Sequence, residues 1–461
     1  MPKRPGRPCR NTSSMPITRR SAIERGGGPV TDSARSPDTT APAIDEWGPA
    51  WLCPRAFGGP GRSTGPMARP VIINDCTLRE GEQAAGVNLD FEAKCRLARA
   101  LVAAGVRHLQ VGYPGRSTAD ETFARWISGA ALRTPDGHTV VTEAIVQVFL
   151  DDWREQIDRA LATGVDWVVL MFPASDLRLT YVQRTTRRQM LQHSTKAVRY
   201  AVGRGCHVRF SPTDTTRAHP AFLRDLYRAV VDAGAERVTV ADTAGAATPE
   251  VFAELVSQVR EWSGVPVHIH CHNDFGLALA NTLAGVRAGA ASADATLGGL
   301  GERAGNAPLE QLAVVLELLY GAETGIELAR LTPLVRQAFA EFGLQLPPWH
   351  PVAGRDAFAH KLDAHVLGVL RHPMVYEALA PEQVGNTRRF PLGKYSGEAA
   401  LRARLGALGL WPEGIDDPAL RTRLARLARC LESQTLSKGG ELSDEELVSL
   451  WAAVDGEEEA R

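Results

Sequence analysis

The sequence has no paired cysteines. Its seven Cys are scattered along the chain and none forms a C-x-x-C pair. An odd, dispersed set argues against a secreted disulfide framework and for reduced thiols in a cytoplasm. Charge imbalance is absent too. Lys+Arg 52 against Asp+Glu 53 gives a formal net charge of −1. No bulk field therefore calls for nucleic acid or a membrane surface as partner. No apolar run approaches the roughly 20 residues needed to span a bilayer. No Gly-rich dinucleotide fingerprint follows the first strand-like run, so a doubly wound open sheet gains no support. What is present, 44% apolar and 23% charged residues, is the composition of an ordinary globular enzyme.

Residues 1–68 are crowded with Arg, Pro, Gly, Ser and Thr and carry no sustained apolar period. Such a segment buries too little apolar surface to offset its ordering entropy. It has no apolar h-region, and Glu24, Asp32, Asp38, Asp45 and Glu46 come early, against a targeting peptide. It reads as a disordered tail, or as a mis-called start ahead of Met67.

From Val71 onward, short apolar runs alternate with helical stretches. Strand-like runs begin near Val71, Arg107, Thr139, Asp166, Cys206, Arg237, Pro266 and Ser292. Amphipathic segments lie between them, among them Glu92 to Ala104, Asp152 to Ala162 and Ala221 to Asp232, each followed closely by Gly. Eight strand–helix units in about 250 residues are the arithmetic of an α/β (β/α)8 TIM barrel. The expected barrel covers 69–324. After it the strand rhythm is lost, Leu328 to Phe342 reads as helical, and a small, mainly helical C-terminal domain is expected over 325–461.

Barrel enzymes place their chemistry at the C-terminal ends of the strands. Three such ends are crowded here. Asp75-Cys-Thr-Leu-Arg79-Glu80-Gly-Glu-Gln83 follows the first run. His268-Ile-His270-Cys-His272-Asn-Asp274 ends the seventh. Residues two apart on a strand share a face, so His270 and His272 point together. Two imidazoles with a carboxylate from another strand suit a divalent cation with open positions. His268 shares that face one step deeper, so spacing alone leaves open which two would bind. The third end, Gly298-Gly-Leu-Gly301-Glu-Arg-Ala-Gly-Asn306, has the glycines that let backbone N–H groups approach an anion.

Together with Ala241-Asp-Thr243-Ala-Gly245, these stretches resemble the homocitrate synthase and 2-isopropylmalate synthase family, within the metallolyase barrel superfamily. The resemblance runs from about 71 to 410. It includes Phe358-Ala-His360-Lys-Leu-Asp-Ala-His365, Tyr376-Glu-Ala and Leu392-Gly-Lys-Tyr-Ser-Gly397. It implies an acyltransferase that performs a Claisen condensation of acetyl-CoA with an anionic 2-oxo acid and releases CoA. Glu80, His270 and His272, with Asn306, would hold a divalent metal: manganese, cobalt, zinc or magnesium. Arg79 would stabilise the developing alkoxide, and Thr243 would hydrogen-bond the substrate carboxylate. His365, paired with Tyr376, would deprotonate the acetyl methyl. The family's C-terminal segment often reaches the partner's barrel, which implies a homodimer.

Gln83, Gln110, Gln147 and Thr213 are the expected substrate contacts. Four positions depart from the family pattern, among them Ala364, which replaces the usual Gly before His365. Gln110 stands where the family has a carboxylate, and Thr213 replaces another. Gln147 occupies the place aligned with an Arg of homocitrate synthases. Losing two carboxylates favours a more negative acceptor. The readings are therefore a homocitrate synthase-like enzyme or a phosphonomethylmalate or phosphinomethylmalate synthase, with Arg116, Arg178 and Arg209 near loops as anion contacts. A 2-isopropylmalate or Re-type citrate synthase is a weaker alternative, because the chain leaves no room for a leucine-sensing domain. A metal-dependent C–C lyase or aldolase is the alternative from another class, opposed by the His365/Tyr376 segment.

Overall fold

In a computed structural model, residues 70–411 and 417–459 are described. The expectation for 1–68 lies outside these residues. Eight parallel strands form a closed barrel in sequence order: β1 (Ile72–Asp75), β2 (His108–Gln110), β3 (Val141–Gln147), β4 (Trp167–Pro173), β5 (His207–Thr213), β6 (Arg237–Asp242), β7 (Val267–Cys271) and β8 (Ser292–Ala295). Each begins within two residues of its expected start.

Helices alternate with the strands: α1 (Phe91–Ala103), α2 (Thr118–Ala130), α3 (Trp153–Leu161), the single turn α4 (Asp176–Arg178), α5 (Arg187–Gly203), α6 (Pro220–Asp232), α7 (Pro249–Ser263), α8 (Ala278–Arg287) and α9 (Leu309–Val314). Local chemistry sets their starts. The Asp90 side chain accepts from Ala93 N at 2.7 Å and caps α1. α1 then buries Leu97, Ala98, Leu101 and Val102, one stripe of helical period, against the barrel. Thr248 caps α7 in the same way, with Pro249 in the first turn.

After the barrel come α10 (Leu331–Glu341), α11 (Asp363–Arg371), α12 (Glu398–Ala407), α13 (Pro418–Lys438) and α14 (Asp444–Glu459). One apolar cluster runs from Val71 to Val384 and takes in α10. A second gathers Val366, Leu401, Leu405, Leu427, Leu431 and Trp451 from the last four helices, with Leu392 from the segment before α12.

The barrel lumen is polar, although layers of branched apolar residues are the usual filling. Asn74, Gln110, Glu143, Arg209, Thr239, His268 and Asp294 are all buried there. Asn74 donates to Glu143 at 2.9 Å and to Asp294 at 3.0 Å. Arg209 donates to Glu143 at 2.5 Å. The expectation that Arg209 lies near a loop is thus corrected. It sits within β5, fully buried, with its charge matched by β3. Strand alternation turns it inward, and a guanidinium in that position needs a carboxylate opposite.

Candidate active site

The mouth of the barrel holds a cavity of about 860 Å³. Its wall on the β7–β8–β1 side brings together Glu80, His270 and His272, which are buried and whose ligand atoms lie within 4.8 Å of one another. The His270 and His272 Nε2 atoms are 3.2 Å apart, and His272 Nε2 is 3.8 Å from Glu80 Oε1. Glu80 comes from the loop after β1, which folds back because the Glu80 and Gly81 amides both donate to Cys76 O. His270 lies on β7 and His272 one residue beyond it.

Orphaned atoms test whether these residues suit a cation. Glu80 Oε1, His272 Nδ1 and Asn306 Oδ1 are buried without a hydrogen-bond partner. An unpaired buried polar atom costs free energy, and three on neighbouring residues of this wall leave the cluster incomplete without an external ligand. The 3.2 Å gap between imidazole nitrogens also fits two cis ligands at metal–nitrogen distances of about 2.0–2.1 Å. Protonation agrees. Burial and then His270 push His272 down to about 3, leaving a neutral imidazole. Burial alone would raise Glu80, but Arg79, His270 and His272 outweigh it and hold the carboxyl below its usual range.

Asp294 on β8 completes the arrangement from behind. His270 Nδ1 is 2.9 Å from Asp294 Oδ2, which directs the His270 Nε2 lone pair outward. His268 lies outside this cluster. Its Nδ1 meets Ser292 Oγ at 2.7 Å and its Nε2 meets Asp294 Oδ1 at 2.8 Å. Sequence reasoning passed over Asp294 and Glu143. The available signal was a carboxylate inside an otherwise apolar barrel strand, S-A-D-A in β8 and T-E-A in β3.

Asn306 is drawn in by an isolated bridge to His272. Its amide nitrogen donates to Leu300 O at 3.3 Å, and its buried amide oxygen has no partner. Gly301 makes this approach possible. A Cβ there would lie 2.1 Å from Asn306 Nδ2 and 3.3 Å from Glu80 Cγ.

Arg79 is fixed beside the cluster. It contacts Glu80 and donates to Gln110 Oε1 through Nε at 2.8 Å and Nη2 at 2.6 Å. Gln110 Nε2 in turn donates to Asp294 at 2.7 Å. A neutral amide where the family has a carboxylate leaves Glu80 as the one anion in contact with Arg79 among the described residues. Gln83, Gln147, Thr213 and Thr243 all line the same cavity. Gln83 reaches Tyr113 OH at 3.3 Å. Thr243 Oγ1 accepts from Asp214 N at 2.8 Å, so its own hydroxyl hydrogen remains to be given.

His365 and Tyr376 are brought together, with stacked rings whose centroids are 4.1 Å apart. They do not line the cavity of their own chain. Tyr376 is 45% exposed, and exposed Leu362, Leu367, Leu370 and Val375 accompany it along α11 and the turn that follows.

The HMGL-like family pattern matches residues 70–337, and a homocitrate synthase post-HMGL domain-like pattern matches 352–430. A 2-isopropylmalate synthase of Sulfolobus acidocaldarius is 36% identical over 367 residues, covering 79% of this chain and 92% of that one. The homocitrate synthase AksA of Methanopyrus kandleri is 37% identical over 343 residues, covering 74% and 84%. A longer relative from Methanothermobacter thermautotrophicus is 41% identical over 340 residues, and the chain spans 66% of its length. Among solved structures, an HMG-CoA lyase of Bacillus subtilis superposes with a TM-score of 0.53 at 20% identity, over 61% of this chain and 97% of that one. This last likeness is one of fold alone.

Proposed function

This chain belongs to the family of homocitrate and 2-isopropylmalate synthases, and from that premise we propose that it condenses acetyl-CoA with an anionic 2-oxo acid to a CoA thioester, which water then hydrolyses to release CoA. The observation that carries the proposal is the convergence of Glu80, His270 and His272 beside a fixed guanidinium, with the unpartnered Asn306 Oδ1 offered as a fourth donor. These four residues would hold a divalent cation such as manganese, cobalt, zinc or magnesium. When bound, the cation supplies Lewis acidity to the ketone of the 2-oxo acid.

The chain's own residues do the rest. Arg79 faces the ketone oxygen as it gains charge, and being already oriented by Gln110 and Glu80 it needs no reorganisation. Thr243 gives its hydroxyl hydrogen to the substrate carboxylate. The acetyl methyl is a very weak acid, so a positioned base is required. His365, stacked on Tyr376, takes that role. Because neither lines its own cavity, they serve the mouth of a second copy in a homodimer, with the exposed apolar face around α11 as part of the contact.

The relatives carry different acceptor names at nearly equal identity, so likeness does not choose the acceptor. The test is release of CoA thiol from acetyl-CoA with manganese present, across 2-oxoglutarate, oxaloacetate, 2-oxoisovalerate, pyruvate and phosphonopyruvate. Thiol release that depends on the 2-oxo acid is expected. Its absence with every acceptor, or cleavage of a hydroxy-acyl-CoA instead, would overturn the reading in favour of a lyase.

A further inference from the structure

Charge pairing around the cavity is uneven. Of the guanidiniums in its wall, Arg79 contacts Glu80, Arg209 pairs with Glu143, Arg217 with Asp214 at 2.8 Å, and Arg303 with Asp274 at 2.8 Å. Arg178 differs. It has no carboxylate within ion-pairing distance among the described residues, and its Nη1 donates to Thr213 Oγ1 at 3.1 Å. Asp214 lies close by, but both of its oxygens are engaged by Arg217, and Ser175 donates to it as well at 2.5 Å. Arg178 is half-buried in the turn after β4, and Thr213 ends β5. In a closed eight-stranded barrel, β4 and β5 stand across the mouth from β8 and β1, where the cation-binding cluster lies.

Burial acts against the Arg178 charge; the nearby Asp214 favours it, but Arg217 and Arg303 oppose it. Arg nonetheless stays protonated in proteins. A half-buried cation in a cavity wall, whose guanidinium donates only to a hydroxyl among the described residues, is an incomplete anion site. Its fork-like donors suit two-oxygen partners such as carboxylate or phosphonate. Arg116, in the loop after β2, adds a second, weaker positive group to the cavity. It is half-exposed and lies 3.9 Å from Asp152.

We propose that Arg178, left unneutralised by the hydroxyl of Thr213, binds a second anionic group at the far end of the acceptor, so that the preferred 2-oxo acid is anionic at both ends. This inference rests on the condensation reading. One end of such an acceptor meets the cation-binding cluster, and the other meets Arg178 across the mouth. A carboxylate and a phosphorus acid offer the same chemistry to this side chain. The phosphates of CoA are a second source of that chemistry.

The experiment separates these. Thiol release by the manganese-loaded full chain is measured with 2-oxoglutarate, oxaloacetate, phosphonopyruvate and 2-oxoisovalerate, for the parent protein, Arg178→Gln, Arg178→Lys and Thr213→Glu. The parent should prefer a doubly anionic acceptor. For Arg178→Gln the ratio of kcat/KM between doubly anionic and aliphatic acceptor should fall about 100-fold, the order of one charge-assisted pair. Arg178→Lys should recover part of the ratio. Thr213→Glu should lower it as well by neutralising Arg178 in place, a control that keeps the guanidinium's packing. Which doubly anionic acceptor leads then names the group as carboxylate or phosphonate. A rise in KM for acetyl-CoA with an unchanged acceptor ratio would assign Arg178 to CoA phosphate and overturn the proposal. So would a parent enzyme that turns over 2-oxoisovalerate best. No thiol release by the parent with any acceptor would instead remove the condensation reading on which the inference stands.

Discussion

Two halves of the proposed site are built in opposite ways. On the barrel, Glu80, His270 and His272 are 3%, 9% and 6% exposed and held by neighbours on β2, β7 and β8. In the C-terminal segment, Tyr376 is 45% exposed and its stacked partner His365 lines no cavity of its own chain. The first half is ordered by the barrel before anything binds. The second is an assembled pair waiting for a surface. On the proposed reading, the barrel half would bind a cation and acceptor by itself, whereas the acid–base half would act only where two copies meet.

Disabling the barrel half should have the largest effect. Glu80→Ala or His272→Ala removes one cation ligand and should abolish turnover together with bound metal, read by elemental analysis of the purified protein. Full activity from a protein without metal would break the contrast at its base. His365→Ala should come next, with Tyr376→Phe behind it. General acid–base groups contribute about 10²–10⁴-fold, so kcat should fall within that range while metal content stays at the parent level. Loss of metal in either variant would mean the two halves are not separate.

Asp294→Asn should have a smaller effect. An amide in place of the carboxylate frees the His270 tautomer, and supporting residues of this kind typically contribute about 10–100-fold in metal affinity or activity. An unchanged metal dissociation constant would deny Asp294 that role. Asp75 offers the smallest test, on stability alone. Burial pushes its carboxyl up to about 7, against the opposing hydrogen bonds from Thr77. The folded chain then keeps a proton that the unfolded chain has already lost. Stability should therefore fall as pH rises from about 4 to about 7, by something on the order of a few kcal/mol. Asp75→Asn should flatten that slope in urea unfolding at pH 5 and pH 8, and an unaltered slope would contradict it.

Much of the barrel half was legible in the sequence because strand chemistry is local. Eight apolar runs fixed the strands, and the period of two placed His270 and His272 on one face. Choosing them over His268 was beyond spacing. It depends on Ser292 and Asp294, residues of β8 that reach His268 only after the barrel closes. Arg209 was misplaced for a related reason, since its partner Glu143 is 66 residues away in sequence. Arg178 was visible as a loop cation, but that among the described guanidiniums of the cavity wall it lacks a carboxylate partner could be known only once Arg217 and Arg303 were seen with theirs. The pairing of His365 with Tyr376 came from resemblance, and no local period would have revealed it.

Mixing two inactive variants tests the shared site most directly. Glu80→Ala and His365→Ala are each purified, then combined under conditions that exchange subunits, and CoA thiol release is followed with the preferred acceptor. If each mouth takes its base from the other copy, a mixed dimer regains one intact site, and random pairing should restore about a quarter of parent activity. If every chain supplies both halves to its own mouth, the mixture should stay as inactive as its components, and the two-copy site would be contradicted.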